Sequence, residues 1–361
     1  MKKIILIGVV IINVCSMCFS QDKQSAETQD SIIKHNIAFQ QNLDADKSYN
    51  MGIKLFEEKK YSEALAYFDQ AIRLNPDFEK AYFNRAGTKF EAEDYPGSIE
   101  DLNKVIDMNT GYEKAYYNRA KAKYAIQDYK GALTDYAKVT ELNPGNAQAY
   151  YNLGLLKFEQ GDHSGAIKDY TLAIKVKPDY VYAYNDRGSA KMQMQDYKGA
   201  LDDYKKALGL NPGLAFIDNN IGTTKKKLND LEGALLDYSS AINKNPDYYI
   251  AYNNRGSVKF EMKDYKGAIA DFDEAIKLNP EYLSAFNNRG FAKYKLRDYK
   301  GAVEDFDYAI KKNTEYGYAY LNRGIAKEMM RDLEGACADW QKAGSLGVKN
   351  GKIYYEQECK K

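Results

Sequence analysis

Residues 249–282 read YIAYNNRGSVKFEMKDYKGAIADFDEAIKLNPEY. Two amphipathic segments are separated by a short turn at Asp264, and Asn279-Pro280 stops the second one. The block is not unique. Pro144, Pro178, Pro212, Pro246 and Pro280 stand 34 residues apart, and Pro76 lies two such periods before Pro144. Counted from Ala45, units of 34 residues follow one another without insertion to Asn350, nine in all. A fixed period of this length is the mark of stacked helix-turn-helix pairs, so the fold class expected is an all-α solenoid. Positions within a unit are called slots one to thirty-four below.

Each slot has a physical reading. Slots two to fourteen form one helix and slots seventeen to thirty-one a second. Asp94, Asp128, Asp162, Asp196, Asp230, Asp264, Asp298 and Asp332 fill slot sixteen, where an acid caps the second helix and faces its positive end. Slot eight is glycine in seven units and alanine at Ala86 and Ala120. A glycine inside a helix costs about 1 kcal/mol relative to alanine, so its recurrence predicts close backbone approach there. Large residues at slot twenty-four, from Phe68 to Trp340, fill the space between the helices. They take up part of the unusual total of 33 tyrosines.

These residues resemble the tetratricopeptide repeat family. The pattern is Ala-Tyr-x-Asn-Arg-Gly at 251–256, Asp-Tyr-x-Gly-Ala at 264–268 and Asn-Pro at 279–280. The likeness runs over the repeats 45–78, 79–112, 113–146, 147–180, 181–214, 215–248, 249–282, 283–316 and 317–350. It implies antiparallel helix pairs stacked into a right-handed superhelix, with first helices lining a concave side that binds proteins or peptides. The family's carboxylate clamp is not matched, since slots five and nine lack its lysine and asparagine.

One departure from the family pattern is systematic. Slot seven, apolar in the family, is Arg85, Arg119, Arg187, Arg255, Arg289 and Arg323, with Met51, Leu153 and Ile221 as exceptions. Slot twenty-three is aspartate from repeat two onward. The co-occurrence predicts a bidentate Arg–Asp pair between the two helices of each repeat, a geometry that lysine does not supply.

The ends read differently. Lys2 and Lys3 precede the apolar run 4–12, and Cys18 and Ser20 are small residues at a cleavage position. That is a secretory signal peptide over 1–20, with export to the periplasm or the cell exterior. A lipid-anchored leader using Cys15 or Cys18 is the rival, but Val14 and Met17 stand where a small residue is expected. Cleavage after Ser20 removes two lysines and changes the formal charge from +1 to −1. Of the four cysteines it leaves Cys337 and Cys359, a candidate disulfide; the alternative is one buried and one exposed thiol. Residues 21–44 are read as a polar segment, disordered over 21–30 and a short helix over 31–44. Residues 351–361 are read as a C-terminal capping helix.

Composition narrows function. A near-neutral charge lacks the electrostatic footprint of a nucleic-acid binder, and a mean hydropathy of −0.64 argues against an integral membrane segment in the mature chain. With two histidines, both outside any cluster, no metal site, cofactor or catalytic group is expected.

The first helices hold the candidate site. Slot six is Asn50, Asn84, Asn118, Asn152, Asp186, Asn220, Asn254, Asn288 and Asn322, a ladder able to engage the backbone of an extended peptide. The alternative is that these amides satisfy neighbours within the scaffold. Phe56, Phe90, Tyr124 and Phe158 at slot twelve, with aromatics at slot five over the same repeats, suggest an aromatic N-terminal zone. Slot five turns to asparagine at Asn185, Asn219, Asn253 and Asn287, giving an amide-rich zone. The alternative is packing between neighbouring helices. The function expected is a non-enzymatic scaffold or adaptor that binds a protein or peptide in the groove. A structural part of a cell-envelope assembly, acting through the convex face or the ends, is the alternative; pairing of two copies through solenoid ends is a further expectation.

Overall fold

The structure, a computed structural model, describes residues 28–360. The expected leader, its cleavage site, Cys15, Cys18 and residues 21–27 lie outside them. Among the described residues the chain is all-helical. It divides into two compact units, Met1–Leu153 and Gly154–Lys361.

In the first unit α1 (Lys2–Glu57) and α2 (Tyr61–Leu74) form repeat one, α3 (Glu79–Glu91) and α4 (Tyr95–Met108) repeat two, and α5 (Glu113–Ala125) and α6 (Tyr129–Leu142) repeat three. The start of α7 (Ala147–Glu159) closes the unit. The second unit continues with α8 (His163–Val176), then the pairs α9 (Val181–Gln193) and α10 (Tyr197–Leu210), α11 (Ala215–Lys227) and α12 (Leu231–Lys244), and α13 (Tyr249–Glu261) and α14 (Tyr265–Leu278). The pairs α15 (Leu283–Lys295) and α16 (Tyr299–Lys312), and α17 (Gly317–Met329) and α18 (Leu333–Ser345), complete the repeats. Within each unit a helix packs on its own partner and on the next pair.

Local chemistry sets these boundaries. In repeats two to nine the slot-sixteen aspartate accepts a hydrogen bond from the N–H three residues on, at 2.8–3.0 Å. That third residue is always glycine; at Gly267 a Cβ would lie 2.1 Å from Asp264 Oδ2, so this placement of the carboxylate depends on the glycine. At the far end the slot-31 asparagine turns its Oδ1 onto the N–H two residues later, as in Asn279 with Glu281 at 3.1 Å. The turn between paired helices passes through a positive φ at slot fifteen. Eight repeats place there a residue other than glycine, such as Gln195 (φ 63) and Arg297 (φ 67). Each carries a strain of about 1 kcal/mol.

The close approach expected at slot eight is present. A Cβ on Gly52 would sit 2.7 Å from the Phe68 ring, and one on Gly324 2.6 Å from Trp340 Nε1. The slot-24 rings thereby reach full burial, with Phe68, Tyr170 and Phe306 at 0% exposure. Burial pushes the Tyr204 and Tyr238 phenols up to about 12, only partly opposed by their bonds to Ser189 and Thr223.

The Arg–Asp pairs form inside single repeats. In all six arginine-bearing repeats Nε and Nη2 grip the two carboxylate oxygens, as in Arg255 with Asp271 at 3.0 and 2.7 Å. Two partners went unrecognised in the sequence. The slot-eleven lysine adds a second cation to the same carboxylate, Lys259 reaching Asp271 at 2.8 Å. The remaining arginine nitrogen reaches back to the second helix of the preceding repeat: Arg85 to Asp69 at 2.6 Å, Arg289 to Asp273 at 2.7 Å. Each guanidinium also lies 5.3–5.6 Å from the slot-four ring.

The ends depart from expectation. Residues 31–44 are no separate helix; α1 carries them unbroken into repeat one, and 28–30, expected to be disordered, belong to it too. No glycine or proline lies between Gln21 and Met51 to stop it. The cap begins before residue 351, as α19 (Lys349–Tyr354), and ends in a π turn, Tyr355–Cys359. Tyr354 meets Trp340 edge-on at 5.4 Å, and a Cys337–Cys359 disulfide, with Cα atoms 5.8 Å apart, joins the tail to α18. Among the described residues no helix is long and apolar enough to cross a membrane.

Repeats four and six lack the arginine. Burial there pushes the Asp169 and Asp237 carboxyls up, and the single lysines Lys157 and Lys225 offset this only in part. An acid whose folded pKa lies above its unfolded value holds its proton more readily when native. Its contribution to stability therefore falls as pH rises from the ordinary carboxylate range through the raised folded value. Urea unfolding at neutral pH should show Asp271→Asn costing about 3–5 kcal/mol, because Arg255 and Lys259 lose their acceptor. Asp237→Asn should cost clearly less and remove part of the decline with pH. Equal losses for the two variants would contradict this assignment.

Candidate functional site

The slot-six ladder is largely committed to the scaffold. In the second unit Asn220, Asn254, Asn288 and Asn322 each donate Nδ2 to the Oδ1 of the buried slot-five asparagine one repeat back, at 2.9–3.0 Å. In the first unit Asn84 and Asn152 donate to the hydroxyls of Tyr49 and Tyr117, at 2.9 and 3.1 Å. The switch of slot five from tyrosine to asparagine exchanges one acceptor for another. Asp186 accepts from Asn185 Nδ2 at 2.9 Å. Asn50, in repeat one, is exposed.

Asn118 is the exception. Its counterpart one repeat back is Phe83, which has no acceptor, and no hydrogen bond of the Asn118 side chain appears among the described residues.

The slot-twelve aromatics meet the first residue of their own second helix, and Phe90 also meets Lys121 of the neighbouring first helix. Ring centroids lie 5.8 Å apart for Phe56 and Tyr61, 5.3 Å for Phe90 and Tyr95, 5.7 Å for Tyr124 and Tyr129, and 5.1 Å for Phe158 and His163. They remain partly accessible, Tyr124 most of all at 37%. Slot five is more enclosed: Tyr49 packs on Phe68 and Phe78, Phe83 on Tyr112, and Tyr117 on Tyr136.

Within the first unit the first helices of three successive repeats enclose a hollow of about 160 Å³. Its lining is Phe56 from α1, Gly87, Phe90 and Glu91 from α3, Ser98 from α4, and Asn118 and Lys121 from α5. Lys121 Nζ lies 4.7 Å from the Phe90 centroid. The hollow thus joins an apolar floor to an ammonium, a carboxylate and the uncommitted Asn118 amide. Phe56, Phe90 and Asn118 were expected at a site; Gly87, Glu91, Ser98 and Lys121 were missed. The available signal was slot nine, where Gly87 stands in place of the isoleucine, leucine, lysine, phenylalanine, serine or threonine of the other repeats.

Tetratricopeptide repeat models match residues 45–78, 181–214 and 249–282, and a second model of the same repeat matches 117–181. The chain belongs to the tetratricopeptide repeat family. A model of anaphase-promoting complex subunit 5 also matches residues 288–350. No curated protein gives a match. Among solved structures, a tetratricopeptide repeat protein from Parabacteroides merdae is similar at 19% identity and TM-score 0.57, over 68% of this chain and 97% of that one. The pilF protein of Pseudomonas aeruginosa is similar at 22% identity and TM-score 0.52, over 58% of this chain and 95% of that one. Both likenesses concern the fold. Repeats of this family form scaffolds that bind proteins or peptides, and are in general not catalytic.

The committed amides carry a prediction. Asn254→Ala leaves the buried Asn219 carbonyl oxygen without its donor, so thermal or urea unfolding should show a loss of about 1–3 kcal/mol. Asn118→Ala should change stability by less than about 0.5 kcal/mol. A silent Asn254→Ala would mean that the ladder is not a structural spine.

Proposed function

We propose that the chain is a non-catalytic scaffold that holds a protein or peptide partner on the first-helix face of its N-terminal repeats. The observation that carries this is the hollow around Gly87. It is the place where the amide ladder stops bonding to itself and partly accessible aromatic rings adjoin polar groups with hydrogen-bonding capacity to spare. Interface hot spots gather in such settings, apolar at the centre and polar at the margin. The alternating donors and acceptors suit an extended backbone.

The proposed setting is outside the cytoplasm, on the strength of the leader pattern over 1–20. The Cys337–Cys359 disulfide fits an oxidising compartment. N-terminal sequencing of the protein recovered from its native cell should read from Gln21; a chain that still begins at Met1 would overturn export by cleavage.

Leu236 favours a second reading. This second-helix leucine is 73% exposed, at a slot that is charged in several other repeats, and marks an outer surface through which an envelope assembly could be bound. A photoreactive benzophenone amino acid at position 53 or 121, on first helices, should crosslink the partner in living cells. The same group at 236 should give little adduct. The reverse distribution would remove the first-helix reading and support the outer surface.

A further inference from the structure

We infer that the hollow beside Gly87 is the seat of one aromatic side chain, supplied by an extended segment of the partner. The inference rests on the reading of this face as the partner-binding surface and names what that surface selects.

One register recurs on the first-helix face. In repeats three, seven and eight the slot-nine side chain meets the slot-twelve residue of the repeat before it, whereas Ser189 and Thr223 turn inward to Tyr204 and Tyr238 of their own repeats. Lys121 covers Phe90 in this way, with Nζ 4.7 Å from the ring centroid. Lys226 Nζ donates to Ser257 Oγ at 3.0 Å. The Phe291 ring lies 5.4 Å from that of Phe260. In repeat two the covering residue is Gly87, and a Cβ there would meet nothing within 4 Å. Phe56 therefore lacks the cover its position calls for, and the hollow of about 160 Å³ is the space of the missing side chain.

Repeat eight shows what fills that space well. Phe291 tilts 30° onto Phe260 and lies parallel to Tyr294, with an interplanar angle of 1° at 5.8 Å. By the same register a guest ring in the first unit lies between Phe56 and Phe90. The volume suits one ring, since a protein cavity of roughly 150 Å³ accepts a benzene molecule.

The rim carries one charge of each sign, Glu91 and Lys121, and so offers no net attraction to a guest of either charge. For a neutral aromatic residue both become assets. Lys121 and Asn118 donate to the guest backbone carbonyls, and Glu91 accepts a backbone N–H or a phenolic hydroxyl. Aromatic rings also gain from tilted and offset contacts with Phe56 and Phe90, which an aliphatic chain does not make.

The test uses the chain's own solution from repeat eight. Gly87→Phe fills the hollow with an internal ring, whereas Gly87→Ala leaves most of it open. Random twelve-residue peptides displayed on phage are selected against the full chain, and recovered sequences are measured by fluorescence anisotropy. Recovered peptides should share one aromatic residue. Binding should weaken at least tenfold when that residue becomes alanine or when the chain carries Gly87→Phe, and less than threefold with Gly87→Ala. A benzophenone in place of the shared aromatic should crosslink within residues 52–60 or 87–98, a readout that does not depend on any variant folding. Peptides that bind Gly87→Phe as tightly as the parent, or crosslinks that map elsewhere, would overturn the aromatic seat and leave the partner-binding reading standing. Failure to recover any binding peptide would overturn that reading and the seat with it.

Discussion

A buried aspartate, set once per helix pair at slot twenty-three from repeat two onward, is the interaction on which the stack depends. Asp101, Asp135, Asp203, Asp271, Asp305 and Asp339 are each no more than 4% exposed. An isolated carboxylate could not remain ionised there. Two cations on the partner helix meet it, a bidentate arginine and a lysine one helical turn later. The same arginine sends its third nitrogen to the preceding repeat and rests its face on an aromatic ring. One side chain therefore ties the two helices of a repeat together and ties that repeat to its predecessor. Removing either partner leaves a charge in a dry place, which makes the ladder far more costly to break than an exposed ion pair.

The ladder also explains what the first-helix face is free to do. Slots seven, eight and eleven are spent on pairing with the second helix, and in most repeats slot six bonds to slot five of the repeat before. Slots nine and twelve stay partly accessible, and slot nine holds seven residue types over nine repeats. Serine or threonine at slot nine turns inward to a buried tyrosine hydroxyl in repeats five and six, lysine or phenylalanine covers the neighbouring ring, and glycine leaves it bare. Variation at a position outside the Arg–Asp ladder can create a selective surface without disturbing the stack.

The breaks in the ladder are informative in the same way. Leu153 and Ile221 replace the arginine, and the corresponding aspartates keep only a lysine and titrate upward. In repeat six the slot-four aromatic, which elsewhere lies over the guanidinium, is replaced by Asp218, paired with Lys244 and Ser240. Repeat four keeps an aromatic, Tyr150, at slot four although Leu153 replaces its arginine.

Repeat length, helix boundaries, the acid caps and the intra-repeat Arg–Asp pairs were all legible in the chain by itself. Each is set by residues fixed in spacing, within one helix or across one turn. The slot-eleven lysine was equally visible as a repeated letter, but its meeting with the aspartate depends on how far the stem reaches across two packed helices. The asparagine ladder shows the limit more sharply. Sequence placed Asn84, Asn118 and Asn254 on one face with equal standing; only the packing of successive repeats revealed that Asn254 is held by Asn219 and that Asn118 faces a phenylalanine unable to hold it. The hollow itself arises from the absence of a side chain at Gly87, and an absence acquires a shape only when neighbouring repeats are brought to within van der Waals distance of it.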